Sequence, residues 1–183
     1  MTIAVNAHHF IPAASNELVN EHWLNFAIDN PGHQFIFISG QPLPVVALPP
    51  NVVYIQSSPK ANNGLWWKWW LNYTLPTLAK KQGAGLLLHL NGTCSLRCKL
   101  PQIMFISDLS FKSHPHFVSK NQLSFLQKNM PLFLTKAQYI VAASGFLAKQ
   151  ITAAFPFAGE KISAIPLLCL LYTSLMARGR RVD

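Results

Sequence analysis

The chain has 183 residues, of which 50% are hydrophobic and 11% aromatic, and its 15 basic and 6 acidic residues give a net charge of +9. This composition excludes an intrinsically disordered chain and predicts one domain with a sizeable core. The positive charge favours an anionic partner, namely a phosphate-bearing ligand, a membrane surface or a nucleic acid, unless the basic surface has no specific partner.

The cysteine pattern indicates a reducing compartment. Cys94, Cys98 and Cys169 include no CxxC pair, and their odd number argues against a disulfide framework or a zinc site. No apolar run reaches the length of about eighteen residues that a membrane-spanning helix needs. The start, MTIAVNAHHF, lacks the basic region of a signal peptide. We therefore expect a cytoplasmic protein, with any membrane contact peripheral to the inner face.

Seven short apolar runs alternate with helical patterns along the chain. The predicted strands are Thr2–Ala7, Gln34–Ser39, Asn51–Gln56, Gly85–Leu90, Gln102–Ser107, Gln138–Ala142 and Lys161–Ile165. The predicted helices are Ser15–Asp29, capped by Ser15 or Asn16, Gly64–Gln82, Ser119–Ala137 and Ser144–Phe155. This order predicts an α/β protein with a Rossmann-like, mostly parallel, doubly wound sheet of about seven strands and helices on both faces.

The predicted helix Gly64–Gln82 is rich in aromatic residues, and Pro76 predicts a kink or a break in it. Four aromatic residues share one face by i, i+3, i+4 spacing, namely Trp66, Trp69, Trp70 and Tyr73. An aromatic stripe of this kind favours the core. The alternatives, with Lys60 and Lys68 nearby, are a membrane interface or a platform on which bases stack.

Polar residues follow the strands at the carboxyl edge of the predicted sheet, where open α/β sheets bind ligands. These residues are His8–His9, Asn91–Gly92–Thr93, Ser107–Asp108 and Ser144–Gly145. Asp108 is either a ligand-orienting acceptor or general base, or a turn aspartate. Ser144–Gly145, at a strand-to-helix turn, is either an anion site or an ordinary helix cap. His8 either faces the cleft or is incidental.

Several common chemistries lack their sequence signatures here. The chain contains no GxGxxG, GxxxxGK[ST], GxSxG or HExxH pattern. His114 and His116 form an H-x-H pattern without a nearby cysteine or second acid, so we predict no metal and no cofactor. A nucleic-acid role is not expected either, because no coherent basic stripe accompanies the aromatic residues.

Four segments resemble the amino-terminal half of family 4 ("group 1") glycosyltransferases, which are retaining enzymes of the GT-B fold. They are WWKWWLNYTLPTLAKKQGAGLLLHLNGTCSLRCKLPQIMFISDLSF, HPHFV, FLTKAQYIVAASGFLAKQI and EKISAIP. The family shows a tryptophan-rich helix leading to a proline, a CSLR/K-x-P segment, a strand ending in His-Asp-Leu and another ending in Ser-Glu-Phe-Ser. The resemblance runs from about Leu65 to Pro166, and more loosely from Thr2 to Ser39.

The resemblance implies the acceptor-side domain of a two-domain retaining hexosyltransferase. In such enzymes a second domain binds the nucleotide sugar, and the sugar passes without a metal to a glycan or lipid-linked acceptor. Asp108 matches the family's aspartate, and Ser107 stands where the family has a histidine that contacts the sugar near the reacting centre. The predicted substrate-binding residues at the sheet edge are His8, Asn91, Gly92, Ser144 and Gly145, of which Ser144 matches the first serine of Ser-Glu-Phe-Ser and Gly145 stands where the family has the glutamate.

Two further expectations follow from comparing the chain with the family pattern. Residues 1–166 are predicted to form the Rossmann-like domain. Residues 167–183, LLCLLYTSLMARGRRVD, are predicted to be a non-native or truncated tail. The isolated chain is then expected to be inactive, because the donor domain is absent. The alternative is a non-catalytic Rossmann-like module that binds a glycan, an anionic ligand or a membrane surface.

Overall fold

The fold is known from a computed structural model, which describes residues 1–8, 17–42, 47–57 and 64–165. The strands are β1 Thr2–Asn6, β2 Gln34–Ser39, β3 Val52–Gln56, β4 Leu86–His89, β5 Gln102–Ile106, β6 Tyr139–Ala142 and β7 Ile162–Ala164. The helices are α1 Glu17–Ile28, α2 Gly64–Trp69, α3 Leu75–Lys81, α4 Ser110–Ser113, α5 Lys120–Lys136 and α6 Gly145–Ala154. A π-helical segment, Trp70–Thr74, joins α2 to α3.

All seven strands are parallel and pair in the order β3-β2-β1-β4-β5-β6-β7. The predicted Rossmann-like α/β sheet is therefore confirmed. Strands β2 and β3 lie on one side of β1, and β4, which follows β3 in the chain, lies on the other side of β1. The crevice between the carboxyl ends of β1 and β4 is thus a topological switch point, where open α/β sheets bind ligands.

The two faces of the sheet carry separate hydrophobic cores, because successive side chains of a strand point in opposite directions. On one face, Trp23 and Leu24 of α1 pack with Val5 and Phe105. The opposite core includes α2, α3, α5 and α6, with Trp70, Leu71, Phe133 and Ile151 among its buried residues. Helices therefore cover both faces, as expected for a doubly wound sheet.

In the tryptophan-rich helix, residues 64–81, one of the two effects predicted for Pro76 is absent, and the expectation of one buried aromatic face is wrong. Pro76 does not break it, because the π turn precedes the proline and the Leu75 N–H donates to the Trp70 carbonyl. Proline lacks an N–H and its ring clashes with the carbonyl four residues back, so a wider turn accommodates it. The four spaced aromatic residues also do not share a buried face. Trp70 is buried, whereas Trp66, Trp69 and Tyr73 are exposed.

The phase of this helix, that is, which of its sides faces the core, is set by the aliphatic residues. Its buried positions are Trp70, Leu71, Leu75 and Ala79, with Trp67 and Leu78 packed at the edge of the core. The sequence WWKWWLNY is aromatic on almost every side, so the spacing of its aromatic residues alone does not identify the core face. The prediction was wrong for Trp66, Trp69 and Tyr73 for this reason.

Short elements and segment ends account for the remaining differences. Helix α4 and the 3₁₀ turns Pro115–Phe117 and Pro156–Lys161 were not predicted. The suggested cap of α1 at Ser15 or Asn16, and the tail 167–183, lie outside the described residues. Within the described ranges, no helix combines the length and hydrophobicity needed to cross a bilayer.

Candidate functional site

A cavity of about 1110 Å³ opens at the carboxyl ends of β1, β4 and β5 and is walled by α2 and α5. Its lining brings together five of the seven predicted site residues, namely His8, Asn91, Gly92, Ser107 and Asp108. The cavity therefore lies at the topological switch point. Strand order explains the grouping, because β1, β4 and β5 are neighbours in the sheet.

Ser144 and Gly145 do not line this cavity. The Ser144 hydroxyl oxygen accepts a hydrogen bond from the Leu147 N–H at 3.1 Å and caps α6. Ser144 follows β6, which lies two strands beyond β4 and so away from the switch point. The structure thus shows the helix-cap alternative for Ser144, and it shows nothing that assigns a ligand to Gly145.

Asp108 is exposed and lies in a tight local turn after β5. Its Oδ1 accepts a hydrogen bond from the Ser110 N–H at 2.8 Å, and its Oδ2 accepts one from the Ser107 hydroxyl at 3.3 Å. The turn role of the aspartate is therefore present. The same contacts hold the carboxylate at the cavity wall, where it can still accept hydrogen bonds from hydroxyl groups of a ligand.

The loop after β4 fixes the orientation of an amide. Gly92 has a φ of +64°, a left-handed conformation that favours glycine. The Thr93 hydroxyl donates to Asn91 Oδ1 at 2.5 Å. This leaves Nδ2 of Asn91 as a buried donor without a hydrogen-bond partner among the described residues. Because an unpaired buried donor is costly, a ligand with an acceptor oxygen would stabilise this arrangement.

Aromatic rings form another part of the cavity lining. The His8 ring is buried and lies 5.3 Å from the ring of Trp70 and 6.5 Å from that of Trp67, centroid to centroid. Trp67 meets Phe125 of α5 edge to face at 5.2 Å. The Lys68 ammonium lies over the Phe125 ring at 5.0 Å, which places a cation in the cavity lining.

Sequence reasoning did not identify the polar wall that α5 provides. Asn121, Gln122 and Ser124 line the cavity from this helix. In the sequence they look like an ordinary solvent-facing helix surface, and only the approach of α5 to the strand ends makes them part of a site. Together with the loops they add uncharged hydrogen-bonding groups to a lining that also contains aromatic and aliphatic side chains, and Lys68 and Asp108 are its lysine and its carboxylate among the described residues.

A buried polar network behind the cavity was also missed. His89 Nδ1 accepts a hydrogen bond from Asn6 Nδ2 at 3.2 Å, and His89 Nε2 donates to Gln102 Oε1 at 2.9 Å. Gln102 Oε1 also accepts from the Ser95 N–H, and its Nε2 donates to the Ser95 carbonyl, each at 2.9 Å. Asn6 Oδ1 in turn accepts from the backbone N–H of His8 at 3.2 Å.

This network supports two of the loops that carry cavity residues, namely those after β1 and β4. Burial lowers the pKa of His89 to about 4, an effect opposed in part by the Gln102 hydrogen bond, so the ring is neutral at pH 7. The sequence signal was a histidine inside an otherwise apolar strand, LLLH, paired with a glutamine that begins a buried strand.

The H-x-H pair lies outside the cavity. His114 and His116 are exposed, their ring centroids are 6.0 Å apart, and His114 Nδ1 is 3.0 Å from the Ser113 hydroxyl oxygen. Cys94 and Cys98 are free buried thiols, and Cys169 lies outside the described residues.

Comparison with known proteins identifies the fold. No protein-family profile matches the sequence, and no curated protein is detectably similar to it. Solved structures do resemble it. A UDP-glucose:anthocyanidin 3-O-glucosyltransferase in complex with UDP superposes with a TM-score of 0.58 at 11% identity, over 91% of this chain and 52% of that one.

Two further glycosyltransferase structures give similar values. A glycosyltransferase from Rickettsia africae ESF-5 has a TM-score of 0.54 at 16% identity and covers 90% of this chain. The lipopolysaccharide outer core galactosyltransferase WaaB has a TM-score of 0.53 at 14% identity and covers 89%. The chain spans 42% and 44% of those two structures, respectively. Its fold is therefore that of one part of GT-B glycosyltransferases.

Proposed function

We propose that this chain is the acceptor-side domain of a glycosyltransferase. In the full-length enzyme a sugar would pass from a nucleotide-sugar donor to a glycan or lipid-linked acceptor. The observation that carries the proposal is the cavity at the switch point, which combines uncharged hydrogen-bonding side chains with an aromatic wall. Sugars present many hydroxyl groups to such donors and acceptors, and their C–H faces pack against aromatic rings.

The charges of the cavity favour an acceptor over a nucleotide diphosphate. A diphosphate needs several cations or a helix N-terminus with free N–H groups, whereas Lys68 is the one lysine or arginine that lines the described cavity. The donor would then bind mainly to a second domain. We propose a retaining hexosyltransferase of the family 4 type, without metal or bound cofactor, on the sequence resemblance given above.

Asp108 and Asn91 are the residues proposed to hold acceptor hydroxyls. Asp108 offers carboxylate oxygens, and Asn91 offers a donor whose direction is fixed by Thr93. Ser107 adds a hydroxyl beside Asp108. The chemistry available from these residues is orientation of a hydroxyl group, with Asp108 accepting its proton if transfer occurs at this edge.

A glycan array probed with the purified 183-residue chain tests the proposal. We expect retention of particular neutral glycans, and at least a tenfold loss of retention for Asp108→Asn, because the amide replaces one acceptor oxygen with a donor. Glu160→Gln is the matched control, since Glu160 is an exposed carboxylate away from the cavity. Equal retention by Asp108→Asn and wild type would contradict the proposed site.

A transfer assay separates this proposal from that of a non-catalytic binding module. The chain alone should not transfer sugar from any nucleotide sugar, because the donor would bind to the other domain. Adding a donor domain in trans, or restoring it in the same polypeptide, should produce transfer if the proposal is right. Glycan retention without transfer under those conditions would favour the binding module.

A further inference from the structure

The tryptophan-rich helix presents an aromatic surface that extends beyond the proposed sugar site, because Trp66 lines the cavity whereas Trp69 and Tyr73 lie outside it. Trp66, Trp69 and Tyr73 are 56%, 49% and 42% exposed. Trp69 stacks on Tyr73 with ring centroids 5.8 Å apart, and Trp66 lies one helical turn before Trp69 on the same side. Large side chains exposed together in this way are typical of interaction surfaces.

The same surface is cationic. The Arg97 guanidinium lies over the Tyr73 ring at 5.2 Å, and the exposed Lys68, whose ammonium lies over Phe125 in the cavity lining, adds a second cation beside Trp66. We refer to Trp66, Lys68, Trp69, Tyr73 and Arg97 as the aromatic–basic patch. The sequence has no acidic residue between Asp29 and Asp108. Its basic residues in that interval are Lys60, Lys68, Lys80, Lys81, Arg97 and Lys99.

These charges select the kind of partner. A second copy of this chain would bring the same cations against the patch, and like charges repel. A single-stranded nucleic acid would need open ring faces on which its bases could stack. Tyr73 is already engaged by Trp69 and by Arg97. An anionic surface that accepts ring edges and cations together fits these observations better.

We propose that the aromatic–basic patch seats this domain on the surface of an anionic lipid bilayer. Tryptophan and tyrosine rings settle at the headgroup level of a bilayer, where one end of the ring is apolar and the other is wet. Lysine and arginine place their charges against lipid phosphates while their alkyl stems pack on apolar neighbours. Arg97 already packs in this way, because its guanidinium lies over the Tyr73 ring.

The patch is continuous with the cavity lining, because Trp66 and Lys68 belong to both. A domain held by this surface would open its cavity beside the lipid headgroups. A lipid-linked acceptor could then enter without leaving the bilayer. This last consequence rests on the proposed function, but the membrane contact itself does not.

Vesicle sedimentation tests the membrane contact. Vesicles of phosphatidylcholine with roughly one-third phosphatidylglycerol should sediment the wild-type chain, and vesicles of phosphatidylcholine alone should bind it more weakly, because part of the attraction is electrostatic. Trp66→Ala/Trp69→Ala should weaken binding to the anionic vesicles by roughly tenfold. Arg97→Gln should reduce the difference between the two vesicle types.

Matched controls keep the result specific. Phe146→Ala/Phe157→Ala removes two aromatic residues that are 73% and 55% exposed and lie outside the patch. Lys149→Gln removes an exposed lysine of α6. Both should bind as wild type does. Circular dichroism of each variant checks folding, which substitutions at exposed positions should leave intact.

Three results would overturn the inference. One is the absence of wild-type binding to anionic vesicles. Another is equal binding by the double tryptophan variant and wild type. The third is a different use of the patch. In that case the wild-type chain would form a dimer in sedimentation velocity or bind single-stranded DNA, and the double tryptophan variant would lose this property but still bind anionic vesicles. Loss of glycan retention in the Asp108→Asn variant is a separate readout, so each proposal can fail alone.

Discussion

At the residue scale, His89 occupies a position in which only its neutral form is well accommodated. One ring nitrogen accepts a hydrogen bond from Asn6 and the other donates to Gln102, inside a site with no solvent exposure. A proton on Nδ1 would point a donor at the Asn6 amide donor and bury an unpaired charge. This explains why the pKa of His89 lies well below that of a histidine in water.

This burial predicts an acid-dependent loss of stability. The folded pKa of His89 is about 4, below the ordinary value of 6.5, so the unfolded chain binds the extra proton first as the pH falls. The contribution of neutral His89 to the free energy of unfolding is fully present above pH 6.5 and is lost as the pH falls from 6.5 to about 4. Its full size is about 3 kcal/mol. Urea unfolding at several pH values measures it.

The His89→Gln variant provides the reference for that experiment. Glutamine does not titrate, so the pH dependence of its free energy of unfolding should be smaller than that of wild type by most of this amount. The variant should also be less stable at pH 7, by about 1–3 kcal/mol, because one amide cannot reproduce both ring contacts. Identical pH profiles for the two proteins would show that another group is responsible.

At the element scale, helix 64–81 shows where sequence patterns succeed and where they fail. Its existence and its approximate bounds, Gly64–Gln82, were predicted, and the structure ends it at Lys81. Its phase did not follow, because aromatic residues occupy the solvent face and the core face alike. The π turn before Pro76 is likewise an adjustment of the backbone to one proline, and the spacing of hydrophobic residues does not predict it.

Two tryptophans in adjacent positions test the observed phase. Trp70 is fully buried and its Nε1–H donates to the Ser57 hydroxyl oxygen at 2.6 Å, whereas Trp69 is about half exposed. We expect Trp70→Ala to cost about 3–5 kcal/mol, from the cavity and the lost hydrogen bond. Trp69→Ala should cost at most about 1 kcal/mol, mainly the stacking on Tyr73. Chemical denaturation of both variants measures the difference, and similar losses would contradict the phase.

At the scale of the whole molecule, strand order decides which predicted residues share the site. The strands themselves were predictable, since buried parallel strands are nearly continuous apolar runs. Their order was not, because it depends on contacts between distant segments. With β4 beside β1, the residues after these strands meet at one cavity, whereas Ser144 after β6 caps a helix. The contribution of α5 to the wall has the same origin.

The reactivity of two buried thiols can be used to measure the stability of the whole sheet and its helices. Cys94 and Cys98, both in the loop that follows β4, belong to the core beneath α3 and α5. Burial raises the pKa of Cys94 to about 12, aided by the neighbouring Cys98, and burial also raises the pKa of Cys98. Only the thiolate reacts with disulfide reagents. In the folded protein at pH 8, both groups should therefore be protected by burial and by protonation.

We expect a Cys169→Ser variant to react with Ellman's reagent slowly in the native state. Both remaining cysteines should be modified together, at a rate that rises with urea in parallel with global unfolding, because exposing either thiol requires opening the core. The same variant in full denaturant, where both thiols react at once, gives the reference rate. Prompt modification of one cysteine in native buffer would instead show that the loop between β4 and β5 opens independently of the sheet.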